Sequence, residues 1–434
     1  MKFVPLKGRG TAENPPNRFE PLFLEPDPEG MDPDAPGPRT VFFKDSSRSI
    51  IATNDSPDVG FEASINPYRG CEHGCVYCMS GDTPILMGEG TIKRLVDVRV
   101  GDLIYGTVRE GPYRRYVKTS VLAHWTVEKR AYRITLADGT ELVASGDHRF
   151  LTERGWKYVA GTAQGRGRRP HVTSNNKLMG VGSFSAPMAK RSDYQRGYLC
   201  GLIRGDGLIG TYPDGRPERA NHWQHQFRLA LADPEALGRA GGYLLEFGVE
   251  TNSFVFQEAS LRRKRLTAIR THARESVARI TELIAWPSDG TVDWCRGFLA
   301  GIFDAEGSYS GGILRITNTD AAILDNVVRS LRRLGFACVV ESTRGQRPRP
   351  LKHVRLRGGL GEHLRFFHTV DPVISRKRDI ERQALKSAAD LRVVSIEPLG
   401  SQTLFDITTG TGDFIANGVV SHNCYARPTH EYLG

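Results

Sequence analysis

Residues 421–424 read Ser421-His422-Asn423-Cys424, and the reactive groups of this short stretch indicate how the rest of the chain is arranged. The side-chain amide of Asn423 can attack the main-chain carbonyl of the same residue and so break the bond to Cys424. The thiol of Cys424 is the strongest ordinary side-chain nucleophile. Together with His422, these residues provide the groups needed to break one peptide bond and form another.

A cysteine cluster far upstream gives this short stretch its weight. Residues 71–77 read CEHGCVY and residues 424–428 read CYARP, so joining Tyr77 to Cys424 yields one continuous motif, CEHGCVYCYARP. Cys78 begins the intervening segment and Asn423 ends it. We therefore predict that residues 78–423 interrupt a single cysteine motif.

Length and composition limit the class of protein. A chain of 434 residues with 39% hydrophobic residues exceeds one ordinary domain, so we expect two or three. It has no run of eighteen apolar residues, and its first residues, MKFVPLKGRG, contain no apolar signal core. We therefore expect a cytoplasmic protein with no membrane partner, and we expect it to be a monomer.

Charge is concentrated in the middle of the chain. The formal net charge is +10, and residues 185–385 contain 31 Lys and Arg against 22 Asp and Glu. A basic segment of domain size indicates a polyanionic partner, although a solvated basic surface explains the charge alone equally well.

The three clustered cysteines indicate a metal site rather than disulfides. The chain has seven cysteines, an odd number, and Cys71, Cys75 and Cys78 are spaced so that their thiolates can hold three irons of a four-iron cluster. With its flanks, NPYRGCEHGCVYC and CYARPTHEYLG, the motif resembles radical S-adenosylmethionine enzymes of the branch related to spore photoproduct lyase. The resemblance covers residues 1–77 and 424–434. It implies a 4Fe-4S cluster and S-adenosylmethionine, held after joining by Cys71, Cys75 and Cys424.

The pattern changes at Cys78 to short β-strands separated by Gly and Asp turns. Residues 132–136 and 141–144 flank Ala-Asp-Gly-Thr, which predicts a hairpin. Residues 393–396, 403–407 and 414–420 are again β-rich, with Asn417-Gly418 as a turn. Two β-rich pieces separated by a helical block predict one β-domain with an insertion.

From Cys78 to Asn423 the sequence resembles an intein, with four sequence blocks in order: CMSGDTPILM, ELVASGDHRFLT, TLFDITT and FIANGVVSHNC. The family usually has Thr where this chain has Ser145, and often a His where Gly412 and Asp413 stand. The resemblance implies an all-β, horseshoe-shaped Hint splicing domain that needs no cofactor and has its own chain as substrate.

The resemblance also implies a role for each residue of the splicing site. Cys78 would attack the Tyr77 carbonyl to form a thioester, while His148 protonates the leaving nitrogen. Ser145, in the same sequence block as His148, would also belong to this site. Cys424 would then take the acyl group, and Asn423 would cyclise with the help of His422. Asp406 would tune the two thiols between these steps.

The middle of the chain contains an internal duplication. LCGLIRGDG at residues 199–207 matches LAGIFDAEG at residues 299–307, and FRLALADPEAL is echoed by LRITNTDAAIL. Gly201 and Gly205 lie four apart, as do Gly301 and Ala305, so small residues share one helical face and let two helices approach closely.

The two motifs resemble the single-chain LAGLIDADG homing endonucleases, which implies an α+β two-repeat domain that cuts double-stranded DNA. Asp206 and Glu306 would then lie at adjacent helix ends and together hold Mg²⁺. An alternative from the residues alone is a packed helix pair with carboxylates at its ends.

We therefore expect a multi-domain chain. An extended host segment covers residues 1–77, the two parts of the splicing domain cover 78–182 and 388–423, the endonuclease covers 183–387, and a second host segment covers 424–434. The competing hypothesis is a radical S-adenosylmethionine iron–sulfur enzyme whose inserted segment has decayed into a DNA-binding or inert insertion.

Overall fold

The computed structural model describes residues 51–53, 63–65, 77–161, 170–184, 190–213, 223–261, 263–342, 350–386 and 390–423. Strands β1 (Ile51–Thr53) and β2 (Ala63–Ile65) form a two-stranded antiparallel sheet. Most of the predicted extended arm, residues 1–60, lies outside the described residues. Among those described, no helix is long and apolar enough to cross a bilayer.

The β-rich pieces at the two ends of residues 78–423 form one unit. Its strands are β3 (Met79–Ser80), β4 (Pro84–Leu86), β5 (Ile92–Arg94), β6 (Leu103–Glu110), β7 (Tyr113–Leu136), β8 (Glu141–Ser145), β9 (Arg149–Thr152), β10 (Gly155–Tyr158), β19 (Val393–Thr409), β20 (Asp413–Ala416) and β21 (Val419–His422). One sheet has the order β19-β3-β8-β7-β6, and the other has the order β10-β9-β21-β20-β4-β5. Both sheets therefore combine strands from before the inserted segment with strands from after it.

The two predicted turns are confirmed. Strands β7 and β8 pair around the turn at residues 137–140, with Tyr132 opposite Ala144. Strands β20 and β21 pair around Asn417-Gly418, where both residues have positive φ, 42° and 77°. Positive φ at both central positions is typical of the turn that matches the twist of a two-stranded hairpin.

The prediction of short strands is wrong for β7 and β19, which have 24 and 17 residues. Strand β7 contains neither Gly nor Pro, so nothing in its sequence interrupts the strand. The two strands pair along their length, from Val121 opposite Thr409 to Leu136 opposite Val393, and the register shifts along the way. This long ribbon brings the late β-strands alongside the early ones.

The inserted unit contains the same order of elements twice. Its first half is α1 (Ser192–Asp206), β11 (Gly207–Pro213), β12 (Trp223–Leu231), α2 (Pro234–Glu246), β13 (Asn252–Gln257), β14 (Leu266–Thr271) and α3 (Arg274–Leu283). Its second half is α4 (Val292–Glu306), β15 (Gly307–Ser310), β16 (Ile313–Asn318), α5 (Ala321–Arg333), β17 (Cys338–Ser342), β18 (Lys352–Leu356) and α6 (Gly359–Val370). The sheets, β11-β12-β14-β13 and β15-β16-β18-β17, have equivalent strand orders.

Helices α1 and α4 pack backbone to backbone. A Cβ added at Gly201 would lie 2.6 Å from the Ile302 nitrogen, and one added at Gly205 would lie 2.5 Å from the Ala305 Cβ. Neither distance leaves room for a side chain. Small residues at this spacing therefore bring the two helix ends together, as the repeat predicts.

The two units share an apolar core. Tyr105 of β6 and Tyr116 of β7 are fully buried and belong to the same apolar cluster as the helices of the inserted unit. The Tyr105 hydroxyl donates to the Asp379 carboxylate at 2.8 Å and accepts from the Ile380 N–H at 3.1 Å. The segment that follows α6 thus fastens the insertion to the β-unit.

Candidate functional site

Cys78 lies between Ser145 and Asp406. The Cys78 N–H donates to Ser145 Oγ at 3.4 Å, and the Ser145 N–H donates to the Cys78 carbonyl at 2.8 Å. On the other side, Leu404 pairs with Ser80 and Phe405 with Met79, so one further step of this register places Asp406 opposite Cys78. All three side chains are buried. Ser145 and Asp406 are 67 and 328 positions away from Cys78 in the sequence, and the sheet brings one to each side of Cys78.

His148 lies at the peptide bond that precedes Cys78. Burial lowers the pKa of the fully buried His148 imidazole to about 3; the nearby His422 contributes to this shift, and the Tyr77 backbone opposes it. His148 is therefore neutral at neutral pH and lies beside the Tyr77 backbone.

The C-terminal end of the segment reaches the same place. The Tyr77 ring centroid lies 4.9 Å from that of His422, and the Trp156 ring packs edge-on against His422 at 4.8 Å. His422 Nδ1 contacts the main-chain oxygen of Asn423. Ser421 pairs with Phe150 across β21 and β9, so the same register continued by two residues places Asn423 opposite His148.

The Asn423 carboxamide is held by the turn between β19 and β20. A main-chain N–H can only donate and a carbonyl can only accept, so these partners fix how the carboxamide is oriented. In that orientation Asn423 Oδ1 accepts from the N–H and the Oγ1 of Thr409, both at 2.8 Å. Its Nδ2 donates to the Gly412 carbonyl at 2.9 Å. Sequence analysis did not identify Thr409.

Asp413 is a second residue whose contacts the sequence did not predict. Its fully buried carboxylate accepts from the Thr107 N–H at 2.6 Å and from the Arg114 guanidinium at 2.8 Å. Burial raises the pKa of this carboxyl, and the bonds from Thr107 and Arg114 oppose the shift. Asp413 pairs with His422 across β20 and β21. The sequence signal was the presence of Gly412 and Asp413 where a His was expected.

Three of the predicted site residues lie outside the described part of the chain: Cys71, Cys75 and Cys424. Cys78, predicted to hold iron with Cys71 and Cys75 in the unspliced chain, packs with Ala131 and Leu404 in a small apolar cluster. The structure therefore describes Cys78 only in the setting of the β-unit.

Asp206 and Glu306 end the paired helices α1 and α4. Burial raises the pKa of Asp206, and Asp233 adds to the shift. Burial also raises the pKa of Glu306, with a further contribution from the charge of Asp206. The Asp206 side chain is exposed and that of Glu306 is half-buried, and two carboxylates that repel each other are stabilised by a cation between them.

These carboxylates fit a divalent ion with oxygen ligands. Mg²⁺ is commonly held by one or two carboxylates, with water and substrate phosphates completing its shell. Within the described ranges, no group of three or more His, Cys, Asp or Glu side chains is placed to share a metal ion. The Asn318 amide donates to Glu306 Oε1 at 3.2 Å and orients that carboxylate.

Lys377 is a cation beside these acids that sequence reasoning missed. Its buried ammonium donates to the carbonyls of Phe303, Asp304 and Ala305, at 3.1, 2.6 and 3.3 Å, and so caps the end of α4. Burial lowers the pKa of Lys377, and the nearby carboxylates oppose the shift. Lys377 belongs to the basic segment Ser375–Arg378 and lies 71 positions after Glu306 in the sequence. No short sequence pattern therefore links Lys377 to the two acids.

Comparison with known proteins gives one family match. Residues 293–369 match the model of the LAGLIDADG-like domain. A solved structure of the homing endonuclease I-DmoI in complex with DNA and Ca shares 17% identity, with a TM-score of 0.35, over 41% of this chain and 90% of that chain. A Ssp DnaB mini-intein variant shares 9% identity, with a TM-score of 0.26, over 80% of this chain and 92% of that chain. Over residues 293–369, from α4 to α6, the chain is therefore similar to LAGLIDADG-like domains.

Proposed function

We propose that residues 78–423 are a self-splicing intein that carries a DNA-cleaving homing endonuclease and interrupts a radical S-adenosylmethionine protein. The observation that carries the splicing proposal is the meeting of the two junctions. Tyr77 and Cys78 lie beside His148, and Tyr77 also contacts His422, which precedes Asn423. Residues more than 340 positions apart in sequence thus form one buried site.

The first step is attack by Cys78 Sγ on the Tyr77 carbonyl carbon. The carbon–nitrogen bond breaks, a thioester forms, and the thiol proton moves to the nitrogen of Cys78. Ser145 holds that nitrogen through its Oγ. Because His148 is neutral at pH 7, it acts by relaying the thiol proton to the nitrogen rather than by starting as an imidazolium.

The second half of the reaction transfers and releases the chain. Cys424 takes the acyl group from Cys78, and its thiol proton passes to the Cys78 sulfur. Asp406, opposite Cys78, is the carboxylate available to accept thiol protons between these steps. Nδ2 of Asn423 then attacks its own carbonyl carbon, and His422 Nδ1, in contact with that oxygen, polarises the carbonyl.

The endonuclease proposal rests on the paired helix ends. Asp206 and Glu306 would hold Mg²⁺, and the ion would stabilise charge on the scissile phosphates of a DNA duplex. Residues 185–385 carry nine more basic than acidic side chains, as phosphate binding requires.

The host protein would be completed by splicing. Joining residues 1–77 to 424–434 brings Cys71, Cys75 and Cys424 into one motif that is suited to a 4Fe-4S cluster. Iron and sulfide analysis of the joined product, compared with a Cys71→Ser version, would test this part separately.

Thiol cleavage tests the splicing proposal. In an Asn423→Ala protein the last step is blocked, so added dithiothreitol should release a fragment of residues 1–77. A matched Cys78→Ser, Asn423→Ala protein should release none under the same conditions, because an oxygen ester resists attack by thiols. Failure of the Asn423→Ala protein to release residues 1–77 would contradict the proposal.

A further inference from the structure

Three contacts converge on the Asn423 carboxamide, the group that acts as nucleophile in the proposed last step. Thr409 places two donors 2.8 Å from Oδ1, its N–H and its Oγ1, and Gly412 places one carbonyl 2.9 Å from Nδ2. The Asp413 carbonyl, 3.0 Å from Thr409 Oγ1, is a second acceptor within reach of that hydroxyl, but Oδ1 is nearer and the Asp413 carbonyl already accepts from Thr411 Oγ1 at 2.9 Å. Asn423 and its three partners are enclosed, since the Asn423 side chain is fully buried. The carboxamide therefore has one fixed orientation.

We infer that Thr409 is a further catalytic residue, whose two donors on Oδ1 activate Nδ2 of Asn423 for cyclisation. The inference rests on the proposed splicing function and deepens it.

The chemical need for such a group follows from amide bonding. The lone pair of a carboxamide nitrogen is delocalised towards the oxygen, so the nitrogen is a poor nucleophile until it begins to lose a proton. The negative charge then develops mainly on Oδ1. Two donors already aimed at that atom in a buried site stabilise the charge without reorganisation.

The bonds and protons of this step balance within the chain. Nδ2 of Asn423 forms a bond to the Asn423 carbonyl carbon, and the bond from that carbon to the Cys424 nitrogen breaks. Nδ2 loses one proton and the departing amine gains one. The products are a C-terminal succinimide and a free amine at residue 424, and no water or cofactor is consumed.

The turn that carries Thr409 is itself rigidly held. Thr411 Oγ1 donates to the Asp413 carbonyl at 2.9 Å, and the Asp413 carboxylate is bound by Thr107 and Arg114. Gly412 has no side chain, so at this position the turn offers Nδ2 only a main-chain carbonyl. The buried network around Asp413 therefore holds the two Thr409 donors in position before the reaction begins.

The test isolates the last step. In a Cys78→Ala background the earlier steps are blocked, and intact mass spectrometry follows the release of residues 424–434 and the succinimide at Asn423. Thr409→Val keeps the branched shape but removes Oγ1, and we expect release to slow by roughly 10- to 100-fold. Thr409→Ser restores the hydroxyl and should stay within about threefold of the parent rate. Thr408→Val is the matched control and should keep the parent rate, because the buried Thr408 hydroxyl has no hydrogen-bond partner among the described residues.

A second measurement separates catalysis from folding. In an Asn423→Ala background, Thr409→Val should leave thiol-induced release of residues 1–77 within about twofold of the parent, because the thioester step does not use Oδ1. The inference is overturned if Thr409→Val releases residues 424–434 as fast as the parent, if Thr409→Ser is as slow as Thr409→Val, or if the thioester step slows equally. A Cys78→Ala parent that never releases residues 424–434 would overturn the proposed function as well.

Discussion

The ring of Tyr77 lies 4.9 Å from the imidazole of His422. Each of these residues immediately precedes a residue of the proposed chemistry, Cys78 in one case and Asn423 in the other. Trp156 packs on the other flank of His422, and Arg149 lies over Tyr77 at 5.4 Å. Packing of aromatic rings thus aligns the two junctions, which gives the proposed acyl transfer a short path.

Cys78→Ala should abolish ligation and leave cleavage at Asn423 possible. The thioester requires a thiol at residue 78, whereas cyclisation of Asn423 uses only groups near the other junction. Gel analysis should show residues 1–423 and 424–434 as separate products and no joined product. Efficient ligation by the Cys78→Ala protein would contradict the assigned nucleophile.

Acid should destabilise the fold through buried histidines. Burial lowers the pKa of His148 to about 3 and those of His363 and His368 to about 4. Their unfolded pKa is about 6.5, so the unfolded chain binds more protons below that value, and the free energy of unfolding should decrease as pH falls from about 6.5 towards 4.

Urea unfolding of an Asn423→Ala protein at pH 7 and pH 5.5 measures this dependence. His368→Gln removes one imidazole, which lies 3.2 Å from the Gly90 carbonyl, and should reduce the loss of stability between the two pH values. An equal loss in both proteins would show that His368 does not stay neutral when buried.

The two junction residues, the β-rich pieces and the repeated helix motif could be predicted from the sequence, because each rests on a local pattern. Cys78, Asn423 and the two helix motifs could be recognised within a few residues. Thr409 and Lys377 could not, because their roles depend on contacts set by register and docking. Thr409 meets Asn423 only after β19 and β20 turn back beside β21, and Lys377 reaches α4 from the segment that joins the two units.

Removal of the inserted unit should preserve splicing, but the boundary matters. Deleting residues 185–385 removes the whole inserted unit and also the segment that hydrogen-bonds to β7. In that segment the Gln383 carbonyl accepts from the Tyr116 N–H at 3.0 Å, and the Arg382 N–H donates to the Tyr116 carbonyl at 2.8 Å. Deleting 190–378 keeps these bonds. Each is worth about 0.5–1.5 kcal/mol, so the shorter deletion should have the higher melting temperature.

Both deletions would be bridged with Gly/Ser linkers of several lengths and tested for ligation. Cys78, His148 and Asn423 lie outside the deleted residues, so ligation should persist in soluble protein. Soluble, folded proteins that fail to ligate with every linker would show that splicing depends on the insertion.

Substitution of Asp206 or Glu306 should reduce DNA cleavage without weakening DNA binding. If Asp206 and Glu306 hold Mg²⁺, purified residues 78–423 should cut a duplex of the uninterrupted gene, and Asp206→Asn or Glu306→Gln should strongly reduce cleavage. Binding, measured by gel shift, should change little and should weaken steeply with salt. Asp289→Asn is the control, since its exposed carboxylate pairs with Arg333. Binding without cleavage by the unmodified protein in both Mg²⁺ and Mn²⁺ would contradict an active nuclease.

Intact mass after expression of the unmodified chain is the most direct test of splicing. If residues 78–423 excise themselves, the 434-residue chain should disappear and two species should accumulate. One is a joined product of residues 1–77 and 424–434, and the other is residues 78–423 with a succinimide, or its hydrolysis product, at Asn423. Persistence of a single 434-residue species through purification and prolonged incubation at neutral pH would contradict self-splicing.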